Sequence, residues 1–411
     1  MPYASRRGRA SRVTKERTMR VLLVINAALE PDREREIAAG LYPRKDYHEL
    51  QRATGADIID LATLDARPWT RLLRRAAGPV VAQALLAWSM SRHYDAVYAD
   101  QETTGFALAA LYKPFRRRPR LTMIGHLLSA RAKQALCRGL RLGATIDAVV
   151  VHSSLQARLA ERTLGLRPDQ VALVPYQTDE RFWTPRAVPT TNRICSAGLE
   201  YRDYDTLIEA VAGLSVEVVI AAASPWSTFT FEGQDRALPS NVVVDSFDYA
   251  GLRELYASAL FVVVPLRDVE NQAGITTILE AMAMGKAVVV SHTRGQTDVV
   301  RDRRQVDRTD PRRSTQPDWA ARLGTTDEVA RGQTGIYVRP GDAGELRRAL
   351  QFLLGHPAQA REMGANGRSL LAETMGLDLF TARVAAVIAG GAPPGPGADR
   401  SGAPFAGARL R

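Results

Sequence analysis

Residues Val262–Val300 read VVVPLRDVENQAGITTILEAMAMGKAVVVSHTRGQTDVV. A continuous apolar run ends at Pro265, and a polar loop follows it. Gly274 then precedes a stretch with helical apolar spacing, from about Ile275 to Met284. Gly285 stops that helix, and a second apolar run begins near Ala287. This strand–glycine–helix order leaves backbone N–H groups without intrahelical partners, with the helix dipole behind them. Such a terminus is suited to a diphosphate. Thr276 and Thr277 in the first turn can add hydroxyl donors. Glu280 stands one turn further on, where a carboxylate can accept both hydroxyls of a ribose.

Outward from this stretch, short apolar runs alternate with helical patterns along the whole chain. One series comprises Arg20–Ile25, Ala56–Leu61, Ala96–Tyr98, Leu121–Ile124, Ala148–Val151 and Val171–Val174. The other comprises Ile194–Ala197, Val216–Ala221, Val242–Val244, Leu260–Val264, Ala287–Val290 and Gly335–Val338. Runs that are apolar throughout, rather than alternating, indicate strands buried on both faces of a parallel sheet. Two series predict an α/β protein of two Rossmann-like domains. The Pro-containing stretch Phe182–Asn192 (FWTPRAVPTTN) marks the boundary. The domains are expected at 19–185 and 186–390, with the last helix free to cross back to the first domain. A basic tail is expected at 1–18, and a Gly/Pro-rich tail at 391–411. Parallel sheets bind ligands outside the carboxyl ends of their strands, so two such sheets facing one another predict a cleft between those ends.

The 411 residues, 45% hydrophobic and 24% charged, suit two ordinary globular cores. Two cysteines far apart, Cys137 and Cys195, exclude a disulfide framework or a cysteine-rich zinc site. They fit a reducing cytosol. Residues 1–185 hold 30 Lys+Arg against 18 Asp+Glu, a net +12, while the remainder is close to neutral. The basic excess of the first half favours an anionic partner: a phosphorylated lipid, a membrane surface or nucleic acid. Tyr112–Arg120 (YKPFRRRPR) is its densest part. No nucleic-acid-binding module is recognisable, so no nucleic-acid partner is expected. The most apolar helical stretch, Ala76–Met90, is interrupted by Gly78, Pro79 and Gln83 and is too short to span a bilayer. A cytoplasmic protein is expected, at most peripheral at the inner face of the membrane.

The segment ILEAMAMGKAVVVS resembles the signature of the GT-B glycosyltransferases of group 1, family 4 type. In those proteins a Glu is followed, after seven intervening residues, by a second Glu in a context like LEAMAxGxPVV. The resemblance assigns Glu280 to the ribose. The first Glu is absent here, since Gln272 lies eight residues before Glu280. Gln272, with Glu270 and Asn271, then falls where the donor sugar is contacted. Ser196–Val211 (SAGLEYRDYDTLIEAV) resembles the loop that opens the second domain, placing Gly198 at its turn and Arg202 at the phosphate-binding lysine. Leu199 and Glu200 stand near the family's usual arginine. Thr334–Asp342 (TGIYVRPGD) and Met363–Arg368 (MGANGR) resemble its closing strand and helix. Residues 301–331 form an arginine-rich insertion without counterpart.

In the first half, His126 follows LTMIG where the family often has a histidine lining the cleft. Val149–Glu161 and Val174–Phe182 resemble further strand–turn–helix units, in which Ser153 and Asp179 read as turn and cap residues. The resemblance implies transfer of a sugar from a nucleotide-sugar donor, with retention of configuration. It implies no cofactor and no metal, and the sequence shows no Asp-x-Asp motif suited to a metal–diphosphate site. His126 and Gln272 are the expected catalytic residues. Gly198, Arg202, Glu270, Asn271, Gly274, Ile275, Thr276, Thr277 and Glu280 are the expected donor-binding residues. The acceptor could be lipid-linked, a polysaccharide or a small molecule. Phe247 and Tyr249 are candidates for the walls of the base site. Met282 and Met284 read as core filler, and the other histidines show no metal-ligand spacing. The competing readings are a degenerate nucleotide-binding or scaffold protein, a sugar-nucleotide epimerase, and a phosphorylase bearing its cofactor on Lys286.

Overall fold

Alternate residues of each apolar run enter different cores. In the first run Leu22 and Val24 pack on one side, while Val21, Leu23 and Ile25 pack on the other. In the run before Pro265, Val262 and Val264 face one core and Val263 the opposite one. Each sheet is therefore covered on both faces, as continuous apolar strands require.

The structure, a computed structural model, describes residues 19–222, 238–302 and 332–393. The expected basic tail at 1–18 lies outside the described residues, as do 394–411 of the second tail and 303–331 of the insertion. The first sheet contains β1 (Val21–Val24), β2 (Asp57–Ile59), β3 (Ala96–Ala99), β4 (Arg120–Gly125), β5 (Ala148–Val151) and β6 (Val171–Leu173). Its order is β2-β1-β3-β4-β5-β6. The second contains β7 (Arg193–Ala197), β8 (Glu217–Ala221), β9 (Val242–Asp245), β10 (Val262–Val264), β11 (Val288–Ser291) and β12 (Gly335–Val338). Its order is β12-β11-β10-β7-β8-β9. Every strand pairing within the two sheets is parallel. The chain reverses its winding between β1 and β3 in one sheet and between β7 and β10 in the other. Those switch points open the crevices in which ligands bind.

The helix Leu377–Ile388 returns to the first sheet, where Leu377, Phe380, Val384 and Val387 pack with Leu23, Ile124 and Val150. Asp378 at its start pairs with Arg44 (2.6 Å) and Arg181 (2.5 Å). The helix Pro357–Thr374 is seated tightly against the end of the Ile275–Ala283 helix. A Cβ on Gly364 would stand 2.0 Å from the Gly285 carbonyl oxygen, so only glycine fits there. The apolar stretch Ala76–Met90 belongs to one helical span, Pro68–Met90, kinked at Gly78, whose φ is 85°. Among the described residues no helix is long and apolar enough to cross a membrane.

Candidate active site at the interdomain cleft

Two loops meet at the switch point of the second sheet. The loop after β7 turns at Gly198 (φ +88°) and Tyr201 (φ 55°). It then pairs with the loop after β10. Arg202 bridges Leu266, the Asp203 N–H donates to the Pro265 carbonyl (3.1 Å), and the Arg267 N–H donates to the Tyr201 carbonyl (3.0 Å). The Arg202 side chain folds into the space between the loops and is 8% exposed. Nε donates to the Ala197 carbonyl (2.8 Å), Nη1 to the Glu200 carbonyl (2.9 Å) and Nη2 to Thr277 Oγ1 (3.0 Å). It has room because Gly198 carries no Cβ. A Cβ on Gly198 would lie 2.5 Å from Nη2. Among the described residues Arg202 has no carboxylate ion-pair partner, and burial pulls its pKa below the ordinary arginine value. A buried cation held by neutral groups leaves its charge uncompensated, which is the condition for drawing in an anion.

Gly274 caps the Ile275–Ala283 helix in the left-handed region, at φ 76°. The helix start lies against the end of β10, where a Cβ on Gly274 would come 2.8 Å from Val264 Cγ1. The N–H groups of Thr276 and Thr277 have no intrahelical acceptor by position. Thr277 is buried against Arg202, whereas Thr276 is exposed. Thr276 and Glu280, four residues apart, share a face. Glu280 accepts a hydrogen bond from the Tyr256 hydroxyl at Oε2 (3.1 Å). Burial pushes its carboxyl up to about 7, against the opposing pull of the Tyr256 hydroxyl, Lys45 and Arg202.

The expected sugar-contacting residues separate on inspection. Asn271 and Gln272 line the cleft. Asn271 Oδ1 and Gln272 Nε2 are buried polar atoms without a hydrogen-bond partner in the described structure. Glu270 is placed differently. Its carboxylate pairs with Arg294 Nη1 (2.8 Å), an arginine that also holds Asp268. The loop is strapped to the segment after β11. The Gly295 N–H donates to the Val269 carbonyl (2.9 Å), and Gln296 Nε2 donates to the Ala273 carbonyl (3.0 Å). Tyr249 packs edge-on against Tyr42 of the first domain with ring centroids 4.4 Å apart, while Phe247 is partly buried against the core below.

The first domain closes the other side. His126 follows β4, and its N–H donates to Glu102 Oε2 (3.0 Å). The buried Glu102 also takes the Leu127 N–H (3.3 Å) and pairs with Lys133. His126 Nε2 meets the Asp100 carbonyl at 3.1 Å. Asp100 stands at the first sheet's switch point, accepts the Asn26 N–H (2.7 Å) and is pushed up to about 7 by burial. Ser153 caps the Ser154–Arg162 helix by accepting the Gln156 N–H (3.2 Å), and Asp179 holds Arg44 (2.8 Å).

Sequence reasoning assigned nothing to His152, yet it lines the cleft with its ring 5.5 Å from that of His126. His152 Nδ1 lies 2.9 Å from the Val174 carbonyl. A carbonyl only accepts, so Nδ1 carries the proton and Nε2 presents a lone pair. Nε2 is buried and unpartnered. Burial, then the nearby His126, drives the ring's pKa down to about 3, so it stays neutral. The available signal was positional: His126 directly follows β4 as His152 directly follows β5.

Together these residues enclose a cavity of about 310 Å³ between the domains. His126, His152 and Gln156 line one side, and Gly198, Arg202 and residues 271–277 the other. Two links span it nearby. The Asp298 carboxylate accepts from the Ser154 N–H (2.7 Å) and hydroxyl (2.9 Å), and Gln156 Nε2 donates to the Glu270 carbonyl (3.3 Å).

A family model described as "Glycosyl transferases group 1" matches residues 192–316. Sucrose-phosphate synthase from Thermosynechococcus elongatus superposes with a TM-score of 0.63 at 17% identity, covering 90% of this chain and 98% of that one. Anabaena HepE, solved with UDP and glucose, superposes with a TM-score of 0.59 at 16% identity, covering 90% and 99%. Residues 192–316 thus match the group 1 glycosyl transferases, and the chain as a whole has the GT-B fold. A glycosyltransferase from Rickettsia africae shares the GT-B architecture with a TM-score of 0.59 at 12% identity, covering 90% and 98%. No curated protein sequence matches the chain significantly. In this GT-B protein the family match takes in Gly198, Arg202, residues 270–277 and Glu280, whereas His126 and His152 lie outside it.

Proposed function

We propose that the second domain binds a nucleotide-sugar donor and that the sugar is transferred, with retention and without a metal ion, to an acceptor entering from the first domain. The reading places the enzyme with the family 4 transferases. Its carrying observation is a buried guanidinium without a carboxylate partner beside the open N-terminus of the Ile275–Ala283 helix. Arg202 and the N–H groups of Thr276 and Thr277 would neutralise the diphosphate as it departs, and Glu280 would take the ribose hydroxyls. Asn271 and Gln272 have polar atoms still to satisfy and would hold the sugar hydroxyls. Glu270 would act through its backbone, because its carboxylate is engaged by Arg294. The departing phosphate would take the acceptor proton, with His126 at the reacting sugar. HepE was solved with UDP and glucose, which makes UDP-sugars the first donors to test. The acceptor is lipid-linked, a polysaccharide or a small molecule, and the enzyme works in the cytoplasm or at the inner membrane face.

A phosphorylase is disfavoured by Lys286, the lysine it would need for its cofactor. Lys286 Nζ donates to the Ala257 (2.8 Å) and Ala259 (2.7 Å) carbonyls, away from the cleft residues. A non-catalytic nucleotide-binding protein would share the ligand but not the turnover. UDP-, GDP- and ADP-sugars screened by thermal shift should include a set that raises the melting temperature, since a ligand of the native state stabilises it. The same donors should be hydrolysed or transferred in the presence of a chelator, with the product anomer read by NMR. Stabilisation without turnover would support the non-catalytic alternative. No stabilisation by any donor would remove the reading altogether.

Gly295→Ala tests the sugar loop separately from the nucleotide site. A Cβ there would stand 2.0 Å from the Asn271 carbonyl oxygen, backbone that moves only by displacing the loop. Misplacing the sugar contacts by an ångström should lower kcat/KM about 100-fold. Stabilisation by nucleoside diphosphate should persist, because Gly274, Arg202 and Glu280 are untouched. Titration of initial rates alongside thermal shift separates the two.

A further inference from the structure

From Thr103 to Ile146 the chain has nine Lys and Arg and no Asp or Glu. Arg118 pairs with Asp147 and Lys133 with Glu102. The other seven make no ion pair among the described residues. Lys113, Arg116, Arg117, Arg138 and Arg141 are exposed. Apolar side chains stand among them. Trp88 is 38% exposed, Phe115 49%, Leu136 48% and Leu140 44%. The Trp88 and Phe115 rings lie 6.2 Å apart. Lys113 Nζ reaches the Leu140 carbonyl (2.7 Å), joining this aromatic pair to the end of the Arg131–Gly139 helix. Leu136 is one helical turn before Leu140, on the same face.

Topology fixes where this surface lies. Trp88 precedes β3, Phe115 precedes β4 and Leu140 precedes β5, so they gather toward the amino-terminal edge of the first sheet. His126 and His152 follow β4 and β5 at the opposite, carboxyl edge, where the cleft opens. The patch is thus separate from the cavity and can be covered without closing it.

We infer that this edge seats on an anionic bilayer leaflet. Trp88, Phe115, Leu136 and Leu140 enter the boundary between headgroups and acyl chains, and the surrounding lysines and arginines lie over lipid phosphates. Aromatic and leucine side chains ringed by cations are the chemistry of interfacial binding. A nucleic-acid backbone would use the cations and leave the leucines in water. The inference deepens the proposed placement at the membrane but is independent of the donor reading, because its test scores vesicle binding.

The full chain should cosediment with vesicles of phosphatidylglycerol and phosphatidylcholine, and far less with phosphatidylcholine alone. Binding should weaken as salt is raised. Each neutralised cation near the surface is worth about fivefold in partition. Reversing two in Arg116→Glu/Arg117→Glu should therefore reduce binding by 100-fold or more. Trp88→Ser/Phe115→Ser should reduce it about tenfold or more while the salt response remains. None of these residues lines the cleft, so the melting temperature and any donor turnover should match wild type. If either variant loses its fold, Arg138→Glu/Arg141→Glu carries the same charge test from a different element. Unchanged binding by the folded variants, equal binding to neutral vesicles, or displacement of the protein from vesicles by RNA at low stoichiometry would each overturn the proposal. Failure of every donor screen with vesicle binding intact would sink only the transferase reading.

Discussion

Glu280→Ala will reduce kcat/KM about 100- to 1000-fold in a protein that remains folded. The carboxylate is the acceptor proposed for two ribose hydroxyls, and a hydrogen bond to a charged group contributes about 1.5–3 kcal/mol. The wild-type thermal shift with nucleotide will shrink in proportion, because the ligand no longer distinguishes the native state as strongly. The pH dependence gives a second readout. Burial holds the Glu280 carboxyl at about 7 in the folded protein, against 4.5 as its ordinary value. A carboxyl raised on folding holds its proton more tightly in the native state. Its contribution to stability is therefore full below about 4.5 and is lost as pH rises through 7. Thermal melts of the ligand-free protein should show Glu280→Gln gaining on wild type between pH 5 and pH 8. Donor binding runs the other way: the ionised carboxylate accepts both hydroxyls, so wild-type affinity should rise across the same interval and that of Glu280→Gln should stay flat. Equal melts and equal donor affinities for the two proteins at both pH values would place the ribose elsewhere.

The strands were legible because burial on both faces leaves a trace in composition. All twelve expected runs became strands, with ends moved by only a few residues, as between Leu260–Val264 and the observed Val262–Val264. Gly274 was legible for a related reason, since a glycine between a buried strand and an apolar helix marks a backbone that must turn tightly against its neighbours. The same stretch did not show where its polar side chains point. Glu270 looked equivalent to Asn271 and Gln272, yet its carboxylate meets Arg294, 24 residues later in the chain. A carboxylate's partner is set by the packing of a distant loop, which local spacing does not encode. His152 was missed for a similar reason. Its tautomer and burial depend on the Val174 carbonyl and on Tyr176, both on another segment. Nothing within VVVHSS distinguishes a cleft histidine from one that merely ends a strand. The basic excess of the first half was visible in composition, but its concentration beside Trp88 and Phe115 required the helix Pro68–Met90 to lie next to Glu102–Tyr112.

Arg202→Met should lower kcat by about 100- to 1000-fold, with a smaller change in KM. The reason lies in when the charge is needed. The diphosphate gains negative charge as the bond to the sugar breaks, so a fixed cation beside it stabilises the transition state more than the ground state. Arg202 is fixed by its three hydrogen bonds, to Ala197, Glu200 and Thr277, and needs no rearrangement to meet that charge. Arg202→Lys separates charge from geometry. It keeps a cation but cannot span two carbonyls and a hydroxyl at once, so its kcat should fall between those of Arg202→Met and wild type. A purely structural arginine would give a different result. Loss of its hydrogen bonds would lower the melting temperature of both variants without ordering their rates by charge. The decisive comparison uses ligands. The nucleoside diphosphate that best stabilises wild type should stabilise Arg202→Met much less, whereas its nucleoside, held by Glu280, should affect both proteins equally. If the two ligands lose their effect together, Arg202 supports the shape of the loop and does not bind the phosphates.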